Sequence, residues 1–271
     1  MEQTKVRKPA VAGQFYPGTA QALRKEIESL VLKQDKLLDV IACMLPHAGY
    51  MYSGKVAAQT VSTVKIKEKV VLFGPNHTGY GTPYSIMAEG AWQTPLGEVK
   101  IDSVLAKKIL AGSKYLKADE EAHLYEHSLE VELLLFQYFK SDFEMVPIAF
   151  LSDDFQALCA VGREVAVALM EIKDRAMIVA SSDMTHYESH AEAFRKDHEA
   201  IKAILELDEE KLFQRVKSLK ISMCGYAPAI AMISAAKALG AKSAKLINYQ
   251  TSGDVTGDMD SVVGYAGIII Y

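Results

Sequence analysis

Short apolar segments rich in β-branched residues alternate along this chain with longer segments of helical periodicity. A strand covered on both faces forms a continuous apolar run, whereas an amphipathic helix repeats its apolar residues every three to four positions. The alternation predicts a three-layer α/β/α sandwich around a mostly parallel or mixed sheet. The clearest predicted strands span residues 39–45, 69–74, 143–150, 175–181, 244–250 and 261–270.

The helical patterns fall between these strands. Ser53 and Asp102 are candidate N-caps of two helices, and the last long helix is predicted from about Tyr226 to Leu239, just before Gly240. Two weaker strand-like runs around Trp92 indicate an antiparallel excursion. Because no internal repeat or Pro/Gly/Ser-rich linker divides the chain, residues 1–271 are predicted to form a single domain.

Charge and hydropathy exclude several classes of function. The formal net charge of -4 provides no electrostatic attraction for nucleic acid. The longest largely apolar run, residues 221–236, is short and contains Pro228, so no membrane span is predicted. The N-terminus lacks the apolar core of a signal peptide, and the three cysteines lack CxxC spacing, which indicates reduced thiols. We therefore expect a cytoplasmic protein.

Polar segments interrupt the pattern where predicted strands end or a helix begins. His47 and His77 follow two strands, Asp183 and His186 follow a third, and Cys224 precedes the last long helix. Strand ends are where α/β folds collect their chemistry. Imidazole and thiolate bind iron, copper and zinc, and two His with one Cys leave positions open for water, oxygen or substrate. Asp183 and His186 could act as acid and base, or Asp183 could fix an imidazole tautomer.

Each of these residues also has a purely structural interpretation. A single histidine at a strand end commonly bonds a loop, and a buried cysteine such as Cys224 commonly fills space. Ser182 and Asp183 could cap a following helix. A third interpretation makes Cys224 a nucleophile activated by a helix N-terminus, although the sequence offers no clear oxyanion-hole partner.

The segment "YEHSLEVELLLF" places His127 and Glu130 three residues apart on one predicted helix face. We expect His127 to line the pocket as an acid/base or substrate-binding group. The alternative treats the nearby acidic residues as a solvated or capping set beside an apolar stripe: Glu126, Glu130 and Glu132. Three further histidines are expected at the surface without a role: His123, His190 and His198.

Several motifs in order resemble the Memo family in its prokaryotic form, also called AmmeMemoRadiSam system protein B. They run from about Pro9 to Ile268: "PAVAGQFYPG", "PHAGYMYSG", "GPNHTGYG", "WQTPLGEV", "EHSLEVELL", "SSDMTHY", "CGYAPAI" and "SVVGYAGI". The resemblance implies a fold similar to that of the class III extradiol dioxygenases of the LigB type, which use non-heme iron(II). It also implies an AMMECR1-like protein and a radical SAM enzyme as possible partners.

The resemblance further implies metal ligands at His47, His77 and Cys224, with Asp183 and His186 lining the pocket and His186 at the position of the dioxygenase base. We expect Fe(II), with copper or zinc as alternatives, and redox activity on an unidentified small-molecule substrate. Cys224 stands where the dioxygenases have a carboxylate. Because a thiolate is itself oxidisable, ring-cleaving activity does not transfer directly. The competing hypothesis is a non-enzymatic module that binds iron, copper or a peptide in the same pocket.

Overall fold

The computed structural model describes residues 5–34 and 36–271. The strands, in chain order, are β1 (Val6–Arg7), β2 (Ala42–Leu45), β3 (Lys69–Pro75), β4 (Tyr84–Ile86), β5 (Ala91–Thr94), β6 (Gly97–Lys100), β7 (Lys117–Ala118), β8 (Glu144–Phe150), β9 (Ala176–Ser181), β10 (His186–Glu188), β11 (Ala244–Thr251) and β12 (Val262–Ile270). The helices are α1 (Ala20–Leu30), α2 (Tyr50–Val61), α3 (Ser103–Gly112), α4 (Glu121–Leu124), α5 (Ser128–Phe139), α6 (Phe155–Leu169), α7 (His190–Leu205), α8 (Glu209–Ser218), α9 (Tyr226–Ala238) and α10 (Gly253–Thr256).

Within the described residues, a nine-stranded mixed sheet forms the middle layer of the fold. Its centre consists of four parallel strands in the order β2, β9, β3 and β8. β12 runs antiparallel to β2 and also pairs with β10 and β11, while β4 runs antiparallel to β8 on the other side. The parallel centre matters for function because its carboxyl ends lie together at one edge of the sheet.

Helices cover both faces of this sheet. On one face α2 and α5 pack against the strands with α1 beside them; on the other, α9 packs across the central strands with α6 and α8 against it. The central strands are buried along almost their whole length, which explains their continuous apolar sequences. The predicted three-layer α/β/α sandwich with a mixed sheet is confirmed. None of the described helices is long and apolar enough to span a lipid bilayer.

The predicted helix boundaries agree with the structure except at α2. Asp102 caps α3 as predicted, because its carboxylate accepts the N–H of Leu105 at 2.9 Å. The Ser53 cap is wrong: α2 begins at Tyr50, and the Ser53 hydroxyl instead donates to the carbonyl of Ala48. Of the two weaker runs predicted around Trp92, residues 97–102 contain β6, which forms an antiparallel hairpin with β5, and β1 adds a third strand parallel to β5. The other run, residues 84–90, contains β4, which pairs with β8 in the main sheet instead.

A buried ion pair attaches the N-terminal segment to α5. Arg7 and Glu130 are both almost fully buried, and their side chains meet at 2.6 Å. Glu130 also accepts the N–H groups of Ala10 and Val11 and the hydroxyl of Tyr16. Because a buried carboxylate needs several donors to offset its desolvation, this set of contacts fixes the course of residues 10–16. Those residues form one wall of the cavity described below.

Candidate metal centre

Three neighbouring parallel strands bring the predicted site residues to one edge of the sheet. His47 follows β2, His77 follows β3, and Asp183 follows β9, which lies between those two strands. Cys224 arrives from the opposite layer, immediately before α9. The Cys224 Sγ lies 3.3 Å from His47 Nε2, and the ligand atoms of His47, His77 and Cys224 all lie within 4.8 Å of one another.

Hydrogen bonds set the tautomer of His47. The Ser181 hydroxyl donates to the carbonyl of Ser128 at 2.9 Å, so its oxygen accepts the proton on His47 Nδ1 at 2.7 Å. Nε2 then keeps its lone pair and faces Cys224. Burial holds the pKa of His47 well below its ordinary value, so the ring is neutral near pH 7. A neutral imidazole with a free, fixed nitrogen is the form that binds metals.

Glu126 sets the tautomer of His77 in the same way. Its carboxylate accepts the backbone N–H of His77 at 2.5 Å and the Nδ1 proton at 2.9 Å, which leaves His77 Nε2 free. Burial disfavours the charged forms of Glu126 and His77, but the attraction and hydrogen bond between the two side chains outweigh this effect. The pKa of Glu126 is lowered to about 2, and the hydrogen bond that its carboxylate accepts raises the pKa of His77. A carboxylate behind a histidine is a common support of metal ligands.

His127 completes a group of three imidazoles. Its ring centroid lies 4.8 Å from that of His77 and 5.5 Å from that of His47, and Phe15 packs on it edge to face at 4.9 Å. Burial lowers its pKa, so this ring too is neutral near pH 7. His77, Glu126 and His127 form a second group of possible ligands. Because Glu126 already accepts hydrogen bonds from His77 and from the N–H of Ser128, we interpret it as a support rather than a ligand.

The glycine after Cys224 has a steric explanation. A Cβ at Gly225 would lie 2.1 Å from the carbonyl oxygen of Ser181, so a larger residue would separate α9 from the end of β9. The Ser182 hydroxyl accepts the Gly225 N–H at 3.0 Å and holds the start of α9 against this strand. The Cys224 sulfur accepts the N–H of Asp183 at 3.3 Å. Only glycine allows the helix to approach closely enough to present the thiol beside His47.

The same surroundings disfavour a nucleophilic Cys224. Burial, together with the negative charge of Asp183, raises the pKa of the thiol well above its ordinary value. An activated nucleophilic cysteine needs the opposite shift. A bound cation, in contrast, would displace the thiol proton and stabilise the thiolate.

Asp183 and His186 occupy distinct positions at the rim. The Asp183 carboxylate accepts the backbone N–H of His47 at 2.8 Å, and burial raises its pKa to about 6 despite this bond. His186 Nδ1 faces the carbonyl of Ser222 at 2.9 Å, which fixes the proton on Nδ1 and leaves Nε2 as the basic nitrogen. His186 also lines the cavity, so it is placed to exchange a proton with a bound molecule.

A cavity of about 900 Å³ opens over this cluster. His47, His77, His127, Asp183 and His186 all line it, so the structure brings the predicted acid/base residues to the same space as two of the three predicted ligands. Cys224 lies behind His47 and does not line the cavity wall. The walls further out are largely aromatic and apolar: Phe15, Tyr16, Met51, Tyr52, Val263 and Tyr265.

Several structural interpretations of these residues are wrong. Ser182 and Asp183 do not cap a following helix, because β10 comes next and α7 is capped by Ser189. His123 is not a surface residue: it is fully buried and packs near Trp92. The acidic set of the segment 126–132 is buried rather than solvated. Glu126 pairs with His77 and Glu130 with Arg7, whereas Glu132 has no hydrogen-bond partner among the described residues.

The sequence analysis missed the residues that support the ligands. Ser128 and Ser181 orient His47, and Glu126 orients His77. The acidic residue directly before His127 was the available signal, because a charged side chain at the start of an apolar helix needs a partner. Ser128 gives no such signal in the sequence.

Comparison with known proteins establishes the family. A family model described as "Memo-like protein" matches residues 7–269. The chain belongs to the Memo-like family. A MEMO1 family protein of Methanosarcina mazei is 45% identical over 270 residues, which cover 98% of this chain and 99% of the relative. A MEMO1 family protein of Aquifex aeolicus is 43% identical over 267 residues, covering 98% and 99% of the two chains.

A solved structure supports the fold. The crystal structure of the uncharacterized protein JW3007 from Escherichia coli K12 superposes with a TM-score of 0.60 at 18% sequence identity. The match covers 84% of this chain and 98% of that protein. At this level of identity the likeness concerns the fold alone. The relationship of this Memo-like chain to the extradiol dioxygenases stays a prediction.

The donor set is chemically suited to a single transition-metal ion. Metal bonds of about 2.0–2.1 Å to nitrogen and 2.3 Å to sulfur place adjacent ligand atoms roughly 3–4 Å apart. The separation of 3.3 Å between His47 Nε2 and Cys224 Sγ lies in this range. Both imidazoles have their Nδ1 proton bonded to the protein. His47, His77 and Cys224 therefore fit a mononuclear site.

Proposed function

We propose that this Memo-like protein holds one transition-metal ion, most readily Fe(II), through His47, His77 and Cys224 and acts as an oxidoreductase on a small organic substrate. The observation that carries the proposal is the convergence of two imidazoles, each with Nδ1 bonded to the protein and Nε2 directed away from that bond, with a thiol 3.3 Å from one of them beneath a cavity. Copper and zinc suit the same donors.

A bound iron would supply one-electron and oxygen chemistry at the floor of the cavity. The residues of the chain supply the rest. His186 Nε2 is the proton acceptor for a bound substrate, because its Nδ1 proton is held by Ser222. His127, which is kept neutral by burial, is a second acceptor across the cavity. The aromatic walls exclude water and orient the substrate.

Metal analysis of protein purified without oxygen tests the ligand assignment. We expect close to one equivalent of iron in the wild-type protein, loss of that iron in Cys224→Ser, and retention in the control Cys159→Ser, whose sulfur is buried in α6. Wild-type protein with neither iron nor copper would contradict the proposal. So would unchanged metal content in Cys224→Ser.

The competing proposal is a binding module without turnover. The soft thiolate favours it, because sulfur ligands retain copper(I) tightly. Oxygen consumption with a panel of aromatic diols separates the two functions. An oxidoreductase predicts a rate that is lost in His186→Ala while the metal stays bound. A module predicts tight metal binding and no rate with any compound.

A further inference from the structure

Glu26 is a carboxylate of the cavity wall that has no side-chain partner within residues 5–34 and 36–271. Glu26 lines the cavity from α1, beside the buried face formed by Leu23 and Ile27. Among the described residues, no hydrogen-bond donor or cation contacts its carboxylate. Partial burial raises the pKa of the Glu26 carboxyl. An unpaired acid that has lost part of its hydration is a binding position for a positive group.

The rest of the described lining includes no lysine or arginine that could pair with an anion. His77, which also lines the cavity, is already hydrogen-bonded to the Glu126 carboxylate. The buried cation Arg7 does not line the cavity and is already paired with Glu130, and it also bonds the carbonyls of His123 and Glu126. A carboxylate or phosphate beside Glu26 would lose water without gaining a lysine or arginine partner.

The aromatic walls complement a cation in a second way. Phe15, Tyr16, Tyr52 and Tyr265 line the same cavity, and aromatic faces attract ammonium groups as well as apolar rings. A cavity of about 900 Å³ is large enough for a drug-sized organic molecule. Glu26 and the aromatic walls together favour a ligand that has a positive charge and an aromatic or apolar body.

We propose that the cavity selects an organic amine, a molecule with an aromatic or apolar body toward the histidine cluster and a protonated amino group at Glu26. The inference deepens the proposed function by naming a substrate class for the same cavity. Because Glu26 is not one of the proposed metal ligands, the inference can be tested on protein with and without metal.

Three probes of equal body and different charge provide the test: tyramine (cation), 4-ethylphenol (neutral) and 3-(4-hydroxyphenyl)propionate (anion). Dissociation constants are measured by calorimetry at low ionic strength on Zn(II)-loaded protein, which is redox-inert, and on metal-free protein. We expect tyramine to bind about fivefold more tightly than 4-ethylphenol, a preference typical of a partly exposed ion pair. The anion should bind most weakly to metal-free protein.

Glu26→Gln should remove the preference for tyramine and leave the binding of 4-ethylphenol unchanged. Glu28→Gln, an exposed acid on the same helix, is the matched control and should behave as wild type. Three results would each overturn the inference. They are a preference for tyramine that survives in Glu26→Gln, tightest binding of the anion to metal-free protein, and no binding of any probe. A tyramine preference in protein that never binds metal would refute the proposed function and keep this inference.

Discussion

Replacing Glu126 by glutamine removes the charge behind His77 without changing the size of the side chain. The carboxylate accepts three N–H groups: the backbone N–H of His77 at 2.5 Å, its Nδ1–H at 2.9 Å and the N–H of Ser128 at 2.9 Å. An amide keeps one acceptor oxygen and turns an N–H group toward one of these donors. His77 then loses the partner that fixes its tautomer. Comparable losses weaken metal binding by about 10- to 100-fold, or roughly 1.4–2.7 kcal/mol.

Competition with a chromophoric chelator near neutral pH measures the affinity of metal-free protein for Co(II) and Zn(II). Glu121→Gln in α4 is the control, because its side chain is exposed, and it should match wild type. Urea unfolding of the metal-free proteins separates loss of ligand support from loss of fold. A folded Glu126→Gln protein with wild-type metal affinity would refute the assignment of His77 as a ligand supported by Glu126.

Three further substitutions test the surroundings of the site. Glu130→Gln breaks the buried pair with Arg7 and should lower the free energy of unfolding by about 3–5 kcal/mol in urea titrations; a loss below about 1 kcal/mol would contradict this account. Gly225→Ala should cost about 1–3 kcal/mol and weaken metal binding, whereas Gly112→Ala, where a Cβ meets nothing within 4 Å, should not destabilise the protein. Burial holds the pKa of the Glu132 carboxyl well above its usual value. Glu132 therefore contributes its full stabilisation below the unfolded-state pKa of about 4.3. Above that pH the free energy of unfolding declines by up to about 1.4 kcal/mol per pH unit, until the pH passes the folded-state pKa. Unfolding measured from pH 4 upward should show a weaker decline in Glu132→Gln, and identical slopes would show that Glu132 does not keep its proton on folding.

The sequence pattern was sufficient to predict the layers of the fold, because strands that are buried on both faces have continuous apolar sequences. The central strands β3, β8 and β9 are continuous apolar runs, and the helices between them are periodic. The pattern failed for α2, where Ser53 resembles a cap but the chain enters the helix four residues earlier, at Gly49. The contact that decides this boundary is the bond from the Tyr50 N–H to the carbonyl of Phe15, which is distant in sequence.

The candidate site likewise contains residues that the sequence predicts and residues that it does not. His47, His77 and Asp183 were accessible to sequence reasoning because parallel strands align their carboxyl ends, so position after a strand implies proximity. Two residues were not accessible, namely Ser128, which supports His47, and Glu26 in the cavity wall, since both lie on helices whose rotation about the sheet no local pattern specifies. The acidic residues of the segment 126–132 show the limit most clearly. Three glutamates a few residues apart have different surroundings. Glu126 pairs with a histidine, Glu130 pairs with an arginine, and Glu132 has no hydrogen-bond partner within the described part of the chain.

The arrangement of charge also bears on which ion the site prefers. Two neutral imidazoles and one thiolate give a divalent ion a net charge of plus one, which ionised Glu126 behind His77 offsets. With copper(I) the same groups sum to minus one, and Asp183, whose pKa of about 6 leaves it largely ionised near pH 7, adds further negative charge to a centre where burial penalises unbalanced charge. The supports therefore favour a divalent ion, although sulfur alone favours copper(I). It follows that Glu126→Gln should weaken Co(II) binding more than copper(I) binding in parallel competition titrations. Equal losses for both ions would show that Glu126 acts by orienting His77 and not through its charge.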